Sequence, residues 1–214
     1  TPTSRPAFLA ASREGPPGDV AVIGIPYTTP AGFDDARMPS ADAPAAIRQQ
    51  SLRYAAVLGH HDFEFGCDPF GRCKLGITDD GDVVGLPGRF AENTLEAEAA
   101  VRGALTRGAF PLVLGGAVNA AVPALRAFEG TEAVSVIHLG ADLEWRHEMN
   151  GALEGPRSTM RRISELPWVT GMAHLGLRGT GATRPREVAD ADRFGAAIIG
   201  ATAIRANGVE ATIE

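Results

Sequence analysis

Two carboxylates stand two residues apart just beyond an apolar run: Asp142 and Glu144, following VSVIHL at residues 134–139. The run has the composition of a buried strand. In an extended chain, residues two apart point to the same side, so Asp142 and Glu144 are expected to emerge together where a parallel strand opens into a loop. Loops at the carboxyl ends of such strands are where α/β proteins hold ligands. A carboxylate pair there could hold a hard cation. It could equally be the remains of a fuller metal site, or a solvated strand end, and the residue types leave all three readings open. His138 shares its face with Gly140 and Asp142, opposite Leu139; a histidine so placed is more often hydrogen-bonded within the structure than coordinated. His147 follows shortly after Glu144.

Other polar groups are weaker candidates. Gly115 and Gly116 precede a helix and could offer backbone amides to an anion, but they lack the lysine of a phosphate loop and the glycine spacing of a dinucleotide site. The loop at 178–184 follows a strand and carries Arg178 and Arg184, two guanidinium groups able to bind a carboxylate or an acidic residue of a partner; a solvated loop is its simplest reading. The sequence His60, His61, Asp62 has no matching ligands nearby and reads as surface. Cys67 and Cys73 fit no common zinc spacing and read as free thiols of a reducing compartment. Arg157, Arg161 and Arg162 read as an exposed basic face.

The elements that would carry these groups alternate along the chain. DVAVIGIP at 19–26 is a first strand. Asp42 with Pro44 marks a helix start. The stretch 57–89 is rich in Gly, Asp and His and holds at most short strands, near 75–77 and 83–84. Ala97, Ala100, Val101, Ala104 and Leu105 form one apolar helical stripe. Strands then fall at 110–114, 133–139, 173–177 and 196–199. Helices fall at 119–128 (capped by Asn119), 158–166, 184–194 and from 203 onward. Strands without polar alternation, separated by helices, predict a parallel sheet covered on both faces.

The 214 residues favour one domain, and 44% hydrophobic content supports a real core. The formal net charge of −6 argues against a non-specific nucleic-acid binder. No apolar run approaches the roughly 20 residues needed to span a bilayer, so no membrane partner is expected. Residues 1–18, rich in Pro, Gly and Ser, read as a flexible lead-in without a signal pattern, and the location expected is cytoplasmic.

The order and wording of these segments resemble the ureohydrolase family of arginases, agmatinases and their relatives. The resemblance runs through VAVIGIP, Ala36-Arg37, the Pro44 to Arg48 stretch, the Asp80-Gly81-Asp82-Val83 element, PLVLGG at 111–116, Ile137-His138, Met160-Arg161-Arg162 and HLGLRG at 174–179. It implies a three-layer α/β/α sandwich with a mainly parallel sheet over residues 19–214, and cleavage of guanidino groups by a metal pair.

The departures from the family pattern fall on its metal motifs. Where the family places Asp, His and Ser after the two glycines, this sequence has Ala117, Val118 and Asn119. Where it places Asp-Ala-His-x-Asp, the positions are Gly140, Asp142 and Glu144. Its substrate loop Ser-His-Gly becomes Gly155, Pro156 and Arg157, and no counterpart of its final Asp-x-Asp precedes Glu214, as if the C-terminal part were lacking. Two dications roughly 3.5–4 Å apart need several carboxylates and imidazoles around them. The resemblance therefore implies vestigial positions at Val118, Asn119, Gly140, Asp142, Glu144 and Pro156, no catalytic residues and no metal in this chain. It also implies a partner: a metal-dependent, agmatinase-like catalytic subunit carrying Mn or Ni, in a trimeric or hexameric hetero-oligomer, since heteromeric amidine hydrolases with one metal-free chain fall within the family. The alternatives are an active amidino hydrolase with a rearranged site and a stand-alone ligand-binding regulatory protein that reuses the pocket.

Overall fold

The computed structural model describes residues 6–13, 18–27, 39–68, 76–86, 88–149, 151–155, 157–180 and 183–213. The expectations for Ala36-Arg37, Cys73 and Pro156 lie outside the described residues. Contacts divide the chain into two compact units: Thr1–Thr28 with Ala36–Ala127, and Thr29–Asp35 with Phe128–Glu214.

The first unit is built on β1 (Val20–Ile25), the central strand of a parallel sheet ordered β2-β1-β3, with β2 at Ile77–Asp82 and β3 at Phe110–Gly115. β1 is buried along almost its whole length, which explains why its sequence, VAVIGI, has no polar alternation. The helices are α1 (Ala43–Ala55), α2 (Phe90–Thr106) and α3 (Ala121–Arg126). α2 lays the expected stripe against the sheet: Ala97, Val101 and Ala104 are fully buried. Ala21, Ile23, Ala109, Ala124 and Ala127 complete a core with Val101 and Ala104. Small side chains let helix and strand approach closely, while Ile23 and Val101 each contribute roughly 2 kcal/mol by burial.

One strand, β2, replaces the two short ones expected at 75–77 and 83–84, and it is held by charge as much as by apolar packing. α1 buries Pro44, Arg48 and Ser51, positions that fall on one helical face. Arg48 grips Asp79 of β2 with two bonds, Nε to Oδ2 at 2.8 Å and Nη2 to Oδ1 at 2.9 Å, and also bonds Asp82. Burial by itself would raise the Asp79 carboxyl. The bonds from Arg48 and from the backbone N–H groups of Phe8 and Gly81, with the charge of Arg48, hold it below its ordinary value. Gly24 faces this group, and a Cβ there would run into Asp82 and Arg48. Part of the lead-in also reaches this unit: the N–H of Phe8 donates to Asp79 at 2.7 Å and that of Leu9 to Ser51 Oγ at 2.8 Å.

The second unit is a parallel sheet ordered β4-β5-β6, with β4 at Val134–Leu139, β5 at Val169–Leu177 and β6 at Ala197–Gly200. Its helices are α4 (Thr159–Ser164), α5 (Pro185–Phe194), α6 (Ala201–Asn207) and α7 (Glu210–Ile213). Gly195, at φ 90°, ends α5 in the left-handed conformation that glycine adopts without strain. β4 departs from the expected full burial. Within this unit its residues alternate, with Ile137 70% and Leu139 76% exposed.

Two expectations about local chemistry are corrected. Asn119 does not cap a helix: it is buried inside a 3-10 turn, Val118–Ala120, that leads into α3. Arg161 and Arg162 do not form an exposed face. α4 is only six residues long and buries Thr159, Met160, Arg162 and Ile163. Arg162 bonds Glu165 at 3.0 Å, and Arg161 bonds Glu165 at 2.8 Å and faces Asp190 at 3.6 Å.

Candidate functional site

The parallel register of β4 and β5 sets His138 opposite His174. Their Nδ1 atoms are 3.1 Å apart. Such a bond requires one ring to carry its proton on Nδ1 and the other to offer a lone pair there. His174 is fully buried, and Trp145 packs edge-on against it at 5.6 Å between ring centroids. Burial, and then the neighbouring His138, push His174 down to about 4. Burial also lowers His138, against the opposing charge of Asp142. Burial thus favours the neutral form of both rings, and a neutral pair can make this bond. His138 is a structural histidine, as its place on the strand suggested.

Gly140 makes room for this pair. A Cβ there would lie 2.5 Å from His138 Nε2 and 2.7 Å from its Cε1. The imidazole of His138 fills the space into which a side chain at position 140 would project.

Asp142 and Glu144 do not emerge as a matched pair. Residues 140–142 bend away from the strand, and Glu144 takes a left-handed φ of 53°, so the alternation of an extended chain does not apply. Asp142 is half-buried, and its Oδ1 accepts a bond from Thr183 Oγ1 at 2.8 Å. Leu143 and Trp145 are buried on either side of Glu144. Burial pushes the Glu144 carboxyl up to about 8; a hydrogen bond with Thr159 opposes the shift and the charge of Asp142 adds to it. Glu144 Oε2 has no hydrogen-bond partner among the described residues. Burial thus favours the protonated form of this carboxyl.

Val118 and Asn119 belong to the first unit, whereas Gly140, Asp142 and Glu144 belong to the second. Among the described residues, no group of three or more His, Cys, Asp or Glu stands together so as to hold a metal ion. His60 and His61 are exposed, as expected. Arg178 is exposed and donates to the carbonyl of Gly176 at 3.0 Å. Arg184 precedes α5 and lines a cavity of about 220 Å³ with Arg146 and Arg186. Sequence reasoning missed the His174, Trp145 and Thr183 contributions. Their partners lie 36 residues away for His174 and 41 for Thr183, and nothing in the one-dimensional pattern signals that pairing.

The fold is arginase-like α/β, with parallel sheets and helices, consistent with a three-layer α/β/α sandwich. The chain belongs to the Arginase family, matched over residues 18–214. Among solved structures it is similar to proclavaminate amidino hydrolase from Streptomyces clavuligerus, at 24% identity and a TM-score of 0.81, covering 97% of this chain and 67% of that one. It is also similar to formiminoglutamase of Trypanosoma cruzi in a structure with Mn2+, at 21% identity and a TM-score of 0.77, covering 98% of this chain and 70% of the other. A third is formimidoylglutamase from Bacillus subtilis, at 19% identity and a TM-score of 0.78, covering all of this chain and 65% of that one. At these identities the likeness concerns the fold. Among the described residues, no helix is long and apolar enough to cross a membrane.

The metal pair that the family implies does not fit the residues present. Val118 and Gly140 carry no ligating side-chain atom, the side-chain space at Gly140 holds an imidazole, and no three His, Cys, Asp or Glu stand together among the described residues.

Proposed function

We propose that this chain is a non-catalytic member of the Arginase family that assembles with a metal-bearing relative and supports it. The catalytic partner would be a metal-dependent, agmatinase-like hydrolase of guanidines or biguanides, holding Mn or Ni, in a trimeric or hexameric hetero-oligomer of the kind that metformin hydrolase represents. The observation that supports this reading is that positions where the resemblance would place ligating side chains carry none: Val118, and Gly140, whose side-chain space the His138 ring fills. A scaffold kept without its chemistry is retained through its surfaces. Arg178, exposed on the loop after β5, supplies a planar fork suited to a carboxylate across an interface, and Arg184 lies at the far end of the same loop.

The test is co-expression with a metal-dependent ureohydrolase relative, followed by light scattering, metal analysis and assay of urea release. The expected result is a mixed assembly, with Mn or Ni retained by the relative, no stoichiometric metal in this chain, and weaker association after Arg178→Ala or Arg184→Ala. A well-folded monomer indifferent to the relative, or two metals per copy of this chain, overturns the proposal. If neither arginine variant weakens a mixed assembly, the loop is not the contact.

A further inference from the structure

A cavity of about 330 Å³ opens between α4 and α5, within the second unit. Trp145 and Phe194 give it an apolar base. Their ring centroids are 5.8 Å apart, Trp145 is 2% exposed and Phe194 is half-buried. Four charged side chains line the rest, in alternating sign. Glu165 Oε1 lies 2.8 Å from Arg161 Nε, Arg161 Nη1 faces Asp190 Oδ2 at 3.6 Å, and Asp190 Oδ1 lies 2.8 Å from Arg193 Nη1. The run from α4 to α5 is thus anion, cation, anion, cation, with no net formal charge. Its two ends keep open bonding capacity. Arg161 and Arg162 both bond Oε1 of Glu165, so Oε2 has no partner among the described residues. Arg193, with its side chain 75% exposed, bonds only through Nη1 among those residues.

A lone anion or cation placed along such a run meets a like charge as closely as an opposite one. A molecule that carries both signs gains at both ends, and like-charge repulsion selects against its singly charged analogues. The apolar base favours a hydrocarbon side chain. The volume falls at the low end of the roughly 300–1,000 Å³ of small-molecule sites. We propose that this cavity binds a small zwitterion, a free amino acid with an apolar side chain. Its ammonium pairs with Glu165, its carboxylate with Arg193, and its side chain lies against Phe194 over Trp145. A guanidinium presents parallel N–H groups that match the two oxygens of a carboxylate, and an ammonium brings three donors to the open oxygen of Glu165. The whole site lies within one unit of this chain, so nothing in it depends on a partner subunit.

The experiment titrates the purified full chain, in whatever assembly it forms, with L-leucine. Saturation-transfer NMR on the leucine methyl groups reads binding at constant ionic strength. Two analogues probe one charge at a time: isocaproate lacks the ammonium and isoamylamine lacks the carboxylate. Leucine should bind saturably, and each analogue at least tenfold more weakly. Arg193→Ala should weaken leucine at least fivefold and leave isoamylamine no weaker. Glu165→Gln should weaken leucine by a similar factor and leave isocaproate no weaker. Arg89→Ala, in the first unit, should change nothing. Glu165 and Arg193 are exposed, so circular dichroism of both variants should match the native chain; if one fails to fold, the other still decides. The absence of saturable leucine binding, an analogue that binds as tightly as leucine, or full leucine binding in either folded variant overturns the proposal. No paralogue is present in the titration, so its failure leaves the assembly reading untouched, and the converse holds for light scattering.

Discussion

The stability of the second unit should fall as pH rises past neutrality, and Glu144→Gln should remove that fall. The Glu144 carboxyl titrates at about 8 in the folded chain against an ordinary value of 4.5. Between those values the folded chain keeps a proton that the unfolded chain releases. The stabilisation is therefore complete below 4.5 and lost as pH rises through 8. The interval corresponds to on the order of 5 kcal/mol, a large share of the stability of a small unit. His174 acts in the opposite sense. It titrates at about 4 when folded and at 6.5 ordinarily, so its contribution is complete above 6.5 and lost as pH falls towards 4. The two slopes oppose each other between 4.5 and 6.5, and above 6.5 Glu144 acts without that opposition. Urea denaturation followed by tryptophan fluorescence reads this unit selectively, because both tryptophans, Trp145 and Trp168, lie within it. The native midpoint should drop between pH 6.5 and about pH 9. Glutamine keeps an oxygen for Thr159 and has no proton to lose, so its midpoint should stay level over that range. A native midpoint that is flat there, or a glutamine variant that falls as steeply as the native chain, refutes the reasoning.

Asp79→Asn should destabilise the first unit by about 3–5 kcal/mol, because it leaves the buried Arg48 without its paired carboxylate; far-ultraviolet circular dichroism against urea measures it. The same pair predicts acid sensitivity: the Asp79 contribution, complete above its ordinary value of 3.8, is lost as pH falls through the lower value it has when folded. Gly140→Ala should cost about 1–3 kcal/mol by driving a methyl into the His138 ring, and His138→Ala in the same chain should recover part of that loss; strictly additive costs in a double-mutant cycle count against the packing account. Restoring ligands with Val118→His, Gly140→Asp and Asp142→His should give no urea release from this chain with added Mn or Ni, since fewer than half of a dinuclear shell's carboxylates would then be in place and ion repulsion would stay uncompensated; measurable release would falsify it.

The elements were legible from the sequence because most of them are written locally. The apolar run VAVIGI and the small-residue stripe of α2 each signal burial within a few residues, and both expectations hold. What failed was information carried between distant segments. The strand at 77–82 reads as ITDDGD, which no apolar pattern would select, and it exists because Arg48, about 30 residues earlier, neutralises Asp79 and Asp82. Residue type alone assigns Arg162 to solvent; tertiary packing of a six-residue helix buries it beside Glu165.

The site was legible as a set of departures, and its new contents were not. A glycine at position 140 reads in the sequence only as the loss of a donor. In the fold the missing side chain is a condition for something else: the His138 ring occupies that space, which permits the neutral bond to His174, and Trp145 closes over His174 from beyond Glu144. The left-handed turn at Glu144 then carries its carboxyl inward, where burial holds its proton. Restoring one donor at position 140 would therefore disturb the imidazole pair before it could serve a metal. Gly140, His138, His174 and Trp145 form one packed cluster, so a change at position 140 acts first on the imidazole pair.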